Sequence, residues 1–78
     1  MHYVYILRCN DGHPYTGCTI DLKDRLIRHK NAQVPATCSR LPVLLVFYAA
    51  FIDKYKAFEF EKYLKSGSGR AFMQKRML

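Results

Sequence analysis

The chain alternates between runs that are apolar on both faces and short stretches that break them. His2 to Arg8 (HYVYILR) is β-branched and aromatic at successive positions, with no inside-outside alternation. That pattern predicts a central strand covered on two sides. Asn10-Asp11-Gly12-His13-Pro14 is dense in turn formers, and Asp-Gly is a hairpin signal. Tyr15 to Thr19 (YTGCT) then reads as a second, antiparallel strand. Gly17 within it weakens the strand but permits close backbone approach by a ligand. Asp21 is placed to cap a helix running to about Lys30, with Asp24 favouring its positive end. Leu22 and Leu26, with Ile27 beside them, form the apolar stripe of this helix, while Arg25 and His29 lie one turn apart and share a face.

Asn31 to Pro42 holds two prolines and small polar residues, so it is a loop, and a long one for so short a chain. Val43 to Phe51 (VLLVFYAAF) is an unbroken apolar run, which predicts a buried strand in the middle of the sheet. Asp53 caps a second helix reaching Lys65, with Ala57, Phe60 and Leu64 as its core stripe. Ser66-Gly67-Ser68-Gly69 is expected to break the chain before a short basic helix from Arg70 to about Arg76. The order hairpin, helix, strand, helix predicts an α/β fold: a small three-stranded antiparallel or mixed sheet flanked by helices.

The hairpin register carries a geometric condition. Side chains alternate faces along a strand, so a two-residue loop would set Tyr5 opposite Cys18 and turn Tyr15 away from Tyr5. Both phenols share a face only if the loop is odd in length, such as Asp11-Gly12-His13, or contains a bulge. The odd register is expected.

Seventy-eight residues allow one domain, spanning 1–78. A domain of this size buries only ~60% of its unfolded surface, which calls for a small, economical core. Half the residues are hydrophobic and 24% are charged, a globular balance. Thirteen Lys and Arg against six Asp and Glu leave a net charge of +7. Such an excess favours a polyanionic partner, of which nucleic acid is the commonest. Cys9, Cys18 and Cys38 are odd in number and lack metal-ligand spacing. They read as reduced, small core-filling residues of a cytoplasmic protein. No stretch approaches the ~18 apolar residues of a membrane span, and no leader pattern opens the chain.

Candidate chemistry lies in an ordered set. Tyr5 and Tyr15 straddle the turn, Arg25 and His29 follow on the first helix, and Glu61 falls on the second. Phenols can handle a proton, a guanidinium can hold a phosphate, and a lone carboxylate can hold a hard cation. Glu61 borders the apolar stripe of its helix, whereas Glu59 points to solvent. A carboxylate at a core edge either pairs with a basic residue or binds a cation, because burying it bare is costly. Arg8 and Arg28 read as solvated charges, and Tyr3, Tyr48, Tyr55 and Tyr63 as core or sheet-surface aromatics.

Tyr3-Val4-Tyr5, Tyr15-Thr16-Gly17, Arg25 and His29 within DRLIRH, and Glu61 within EKYLK together resemble the GIY-YIG nuclease family. The chain is most similar to small single-domain members related to the N-terminal nuclease domain of the excinuclease, which implies a setting in DNA repair. Thr37, Arg40 and Pro42 also resemble a Thr-x-x-Arg-x-Pro stretch of such members. Tyr3 and Thr16 depart from the family's naming motifs, and the late Asn of many members has no counterpart after Asn31, so that role is either filled by a residue such as Ser66 or Ser68 or missing.

The resemblance implies a metal-dependent endonuclease acting on DNA, leaving 5′-phosphate and 3′-hydroxyl ends. Glu61 would hold one divalent ion, Mg²⁺ or Mn²⁺, completed mostly by water. Tyr15 would be the general base for the attacking water, its phenolate favoured beside Arg25 and a cation. Tyr5 would position it, Arg25 would neutralise the scissile phosphate, and His29 would touch Tyr15 or the water. Thr37, Arg40, Lys65 and Arg70 are candidate phosphate contacts by charge and loop position. The alternatives are a catalytically weak nucleic-acid-binding module of the same fold, or a basic protein-interaction adaptor that ignores DNA.

Overall fold

Strand β1 (His2–Arg8) lies at the centre of the computed structural model, which describes residues 1–76. Strands β2 (Pro14–Thr19) and β3 (Leu44–Phe51) flank it in the order β2-β1-β3, and every pairing is antiparallel. Helices α1 (Leu22–Lys30), α2 (Lys54–Leu64) and α3 (Gly67–Arg76) complete the fold. The two-sided apolar pattern of β1 has its expected meaning: Val4, Tyr5, Ile6 and Leu7 are wholly buried. The apolar run of β3 does not. It forms an edge, with Leu44 and Tyr48 each 54% exposed, where the sequence pointed to the middle of the sheet. An unbroken run identifies a strand but leaves its neighbours unspecified. A bulge at Val46, between the pairs Ile6–Phe47 and Leu7–Leu45, bends this edge.

The hairpin loop is odd, as the tyrosine condition requires, but sits one residue earlier than Asp11-Gly12-His13. Asn10, Asp11 and Gly12 form it, closed by the Cys9 N–H donating to the His13 carbonyl at 3.1 Å. Gly12 takes φ +80, the left-handed position of a three-residue loop. Tyr5 therefore pairs with Gly17 and Leu7 with Tyr15, so the two phenols face the same way. The opposite face carries Val4, Ile6 and Cys18. It packs with Phe47, Phe51 and Phe60 around Ala57, Leu64 and Met73 to form the hydrophobic core under α2 and α3.

Asp21 caps α1 by accepting the Asp24 N–H at 3.0 Å, and Asp53 caps α2 by accepting that of Tyr55 at 2.8 Å. The Leu22-Leu26-Ile27 stripe of α1 is a weaker anchor than expected. Ile27 is exposed and both leucines are only half-buried, which leaves His29 as the helix's buried residue. Beyond Asn31, Ala32 adopts φ 58 while Ala32 and Gln33 donate to the carbonyls of His29 and Arg28. This is a Schellman ending with alanine in the position usually held by glycine.

The Ser-Gly-Ser-Gly stretch does not break the chain where expected; α3 begins inside it, at Gly67. The Ser66 hydroxyl accepts the Gly69 N–H at 3.2 Å and so caps the helix. Gly69 permits α3 to press on the end of α2, since a Cβ there would overlap the Tyr63 carbonyl oxygen and sit 2.6 Å from Leu64 Cα. The long loop is pinned to the hairpin. Arg40 Nε meets Asp11 Oδ2 at 2.7 Å, and the Asn10 N–H donates to the Arg40 carbonyl. All three cysteines are free; Cys9 is buried, Cys18 half-buried and Cys38 exposed, so Cys38 fills no core.

Candidate active site

The face of β1 and β2 turned toward α1 gathers three rings. Tyr5 and Tyr15 have centroids 6.3 Å apart, and His29 meets both edge-on, at 5.6 Å from Tyr5 and 5.4 Å from Tyr15. The Tyr5 ring lies directly over Gly17, where a Cβ would be 2.5 Å from its Cζ and hydroxyl oxygen. The close approach that glycine permits is therefore made by the protein's own phenol, where the sequence suggested a ligand.

A hydrogen-bonded chain runs through two of these rings. The Tyr5 hydroxyl lies 2.8 Å from His29 Nε2, and His29 Nδ1 lies 2.7 Å from Thr37 Oγ1. All three residues are wholly buried. Burial, then the neighbouring charge of an ionised Tyr15, pushes the Tyr5 hydroxyl up to about 12, with Arg25 pulling the other way. Tyr5 is thus a neutral phenol at ordinary pH. Burial and the Arg25 charge lower the pKa of His29, which keeps its imidazole neutral. A neutral imidazole donates from one nitrogen and accepts at the other, matching one partner on each side.

These contacts revise several expectations. His29 touches Tyr5 through a hydrogen bond and Tyr15 only through its ring; with both nitrogens engaged and no exposed surface, it is not placed to meet a water nucleophile. Thr37 is equally inaccessible, so it holds His29 and does not contact a phosphate. Arg40 commits its guanidinium to Asp11 and clasps loop to hairpin. Nothing in the eight-residue spacing of His29 and Thr37 signals that they meet, because the intervening loop has no period to read.

Tyr15 is the half-exposed member of the ring cluster, and Arg25, also half-buried, pairs with no carboxylate among the described residues. Glu61 comes from α2, on the other side of the sheet, and its field reaches the same groups. Its carboxylate raises, and Arg25 lowers, the pKa of both Tyr5 and Cys18. Glu61 binds Lys65 at 3.2 Å one turn on, with the Glu61 side chain 23% exposed and that of Lys65 56%. A pair of this kind at a surface contributes only ~0.3–0.5 kcal/mol, so it leaves the carboxylate available. No group of three or more His, Cys, Asp and Glu able to hold a metal occurs among the described residues. Glu61 accordingly suits a hard, strongly hydrated cation that retains most of its waters, and does not suit a metal needing an all-protein cage.

A central tyrosine strand, a second tyrosine on its hairpin partner, and an arginine–histidine helix laid across them define a nuclease domain of the GIY-YIG class. Residues 1–76 match the family model described as the GIY-YIG catalytic domain, and the chain belongs to that family. A UPF0213 protein of Staphylococcus saprophyticus is 41% identical over 68 residues, covering 86% of this chain and 83% of the relative. One from Streptococcus agalactiae is 40% identical over 70 residues, covering 88% and 80%. The solution NMR structure of a UPF0213 protein from Bacillus halodurans superposes with a TM-score of 0.61 at 40% identity, covering 94% of this chain and 79% of that one. The domain points to endonuclease activity, and GIY-YIG nucleases act on DNA. No helix among the described residues is long and apolar enough to cross a membrane.

Proposed function

We propose that the protein is a metal-dependent endonuclease that hydrolyses DNA phosphodiester bonds. The observation that carries this reading is the shared face of Tyr5 and Tyr15, with His29 fixed between them. Tyr5 is held protonated, so the base role falls to the half-exposed Tyr15, which takes the proton of the attacking water. Tyr5, His29 and Thr37 position that phenol from below. Arg25, permanently charged and paired with no carboxylate among the described residues, neutralises the scissile phosphate as charge builds on its oxygens. Glu61 would hold one divalent ion, Mg²⁺ or Mn²⁺, whose chemistry when bound is Lewis-acid stabilisation of the leaving oxygen.

One observation favours the catalytically weak binding module instead. Ser66, a candidate for the place of the family's late Asn, already uses its hydroxyl to cap α3; Ser68 remains exposed. Supercoiled plasmid incubated with Mg²⁺ or Mn²⁺ separates the readings. The nuclease reading expects nicking that EDTA abolishes, and a loss of at least ~100-fold in Tyr15→Phe and Glu61→Gln. Salt-sensitive binding without nicking in either metal, with all three proteins alike, would leave only the module.

A further inference from the structure

Beside Tyr15 the edge of β2 opens into a cleft of about 490 Å³, walled by the end of α2 and by α3. We propose that this cleft holds one nucleotide of an unpaired strand, next to the phosphate cut at Tyr15. The inference rests on the nuclease reading for its placement, and on the cleft's own chemistry for its ligand.

The volume falls within the ~300–1,000 Å³ of small-ligand sites. One nucleotide unit fits such a space, and a base must leave its pair to enter it. The lining has the two characters a nucleotide needs. Pro14 and the half-exposed Tyr15 ring supply apolar and aromatic surface for a base, over the buried Leu64 and Met73. Lys65 and Arg70 supply cations for the phosphate. Arg70 is exposed and pairs with no carboxylate among the described residues. The exposed Gln74 also lines the cleft, and its amide can hydrogen-bond a base edge. The wall exists because Gly69 lets α3 dock closely, which places Arg70, Met73 and Gln74 opposite β2.

Fluorescence anisotropy without divalent ions tests this with no cleavage. The probes are a fluorescein-labelled oligothymidylate of about twelve residues and the same strand annealed to its complement. The wild type is expected to bind the unpaired strand at least ~tenfold more tightly, with Arg70→Gln and Gln74→Glu each removing most of that preference. For Arg70→Gln the slope of log affinity against log salt should also shrink by about one. Arg28→Gln, at a residue paired with Asp24 on α1, should bind as the wild type does. Amide shifts on titrating thymidine 5′-monophosphate should gather at Thr16, Lys65 and Gln74, which reads the site even if one variant folds poorly. Equal binding of duplex and single strand, wild-type affinity in both cleft variants, or shifts gathered on α1 would each overturn the cleft proposal. Absence of nicking with cleft binding intact would instead count against the nuclease reading alone.

Discussion

Thr37→Val removes the far partner of the buried imidazole while keeping the side chain's volume. His29 Nδ1 would be left without a hydrogen bond in a site closed to water, costing about 1–3 kcal/mol. Urea unfolding should register that loss and its recovery in Thr37→Ser; a Thr37→Val variant as stable as the wild type would mean the contact is incidental. The same imidazole sets an acid limit. Its folded pKa lies below the unfolded value of ~6.5, so the unfolded chain takes the proton first as pH falls. Stability from this group is whole above about pH 6.5 and declines below it, with a slope approaching ~1.4 kcal/mol per pH unit. Urea midpoints measured from about pH 8 to about pH 5 should be flat and then fall, and His29→Gln should lose the bend. At this scale the sequence revealed which residue types could do chemistry. It did not reveal that Tyr5 and His29 would be sealed from solvent, because burial depends on what the 31–42 loop covers.

Helix ends and helix contacts yield two further expectations. Ala32 ends α1 in the left-handed region, where an L-residue is strained by roughly 1–2 kcal/mol. Ala32→Gly relieves that strain, offset in part by the greater freedom glycine has when unfolded, for a net gain of up to ~1 kcal/mol in urea denaturation. Gly69→Ala should act in the opposite sense and more strongly. The atoms it would strike are backbone atoms of α2, which cannot swing aside, so a loss of ~3 kcal/mol or an undocked α3 is expected. Circular dichroism and urea titration together distinguish the two. Elements were largely legible: both Asp caps and the odd hairpin loop follow from local chemistry within a few residues. The β3 edge position and the start of α3 at Gly67 were not, since strand order and close helix approach depend on contacts distant in sequence.

Across the whole molecule, thirteen cations face six carboxylates, and the ion pairs formed among the described residues are three surface contacts. Self-repulsion should therefore outweigh specific pairing. Raising NaCl from about 20 to about 300 mM should lift the melting temperature by several degrees, on the order of 1 kcal/mol. A fall in melting temperature would mean that the Asp11–Arg40 clasp and its counterparts matter more than the net field. The charge excess was plain from composition. Its distribution was not, because Arg40 is engaged within the fold while Arg25 is left without a carboxylate partner among the described residues.

His29 gives the shortest helix its buried foothold and also braces the buried phenol. Under the proposed function, one side chain therefore serves both the site and the architecture. Loss of the proposed catalytic roles of Tyr15 or Glu61 would leave that foothold in place, whereas loss of the imidazole would call for another way of attaching α1. Retention of a histidine here is consequently no badge of an active enzyme, and its replacement signals a rebuilt scaffold before it signals lost cutting.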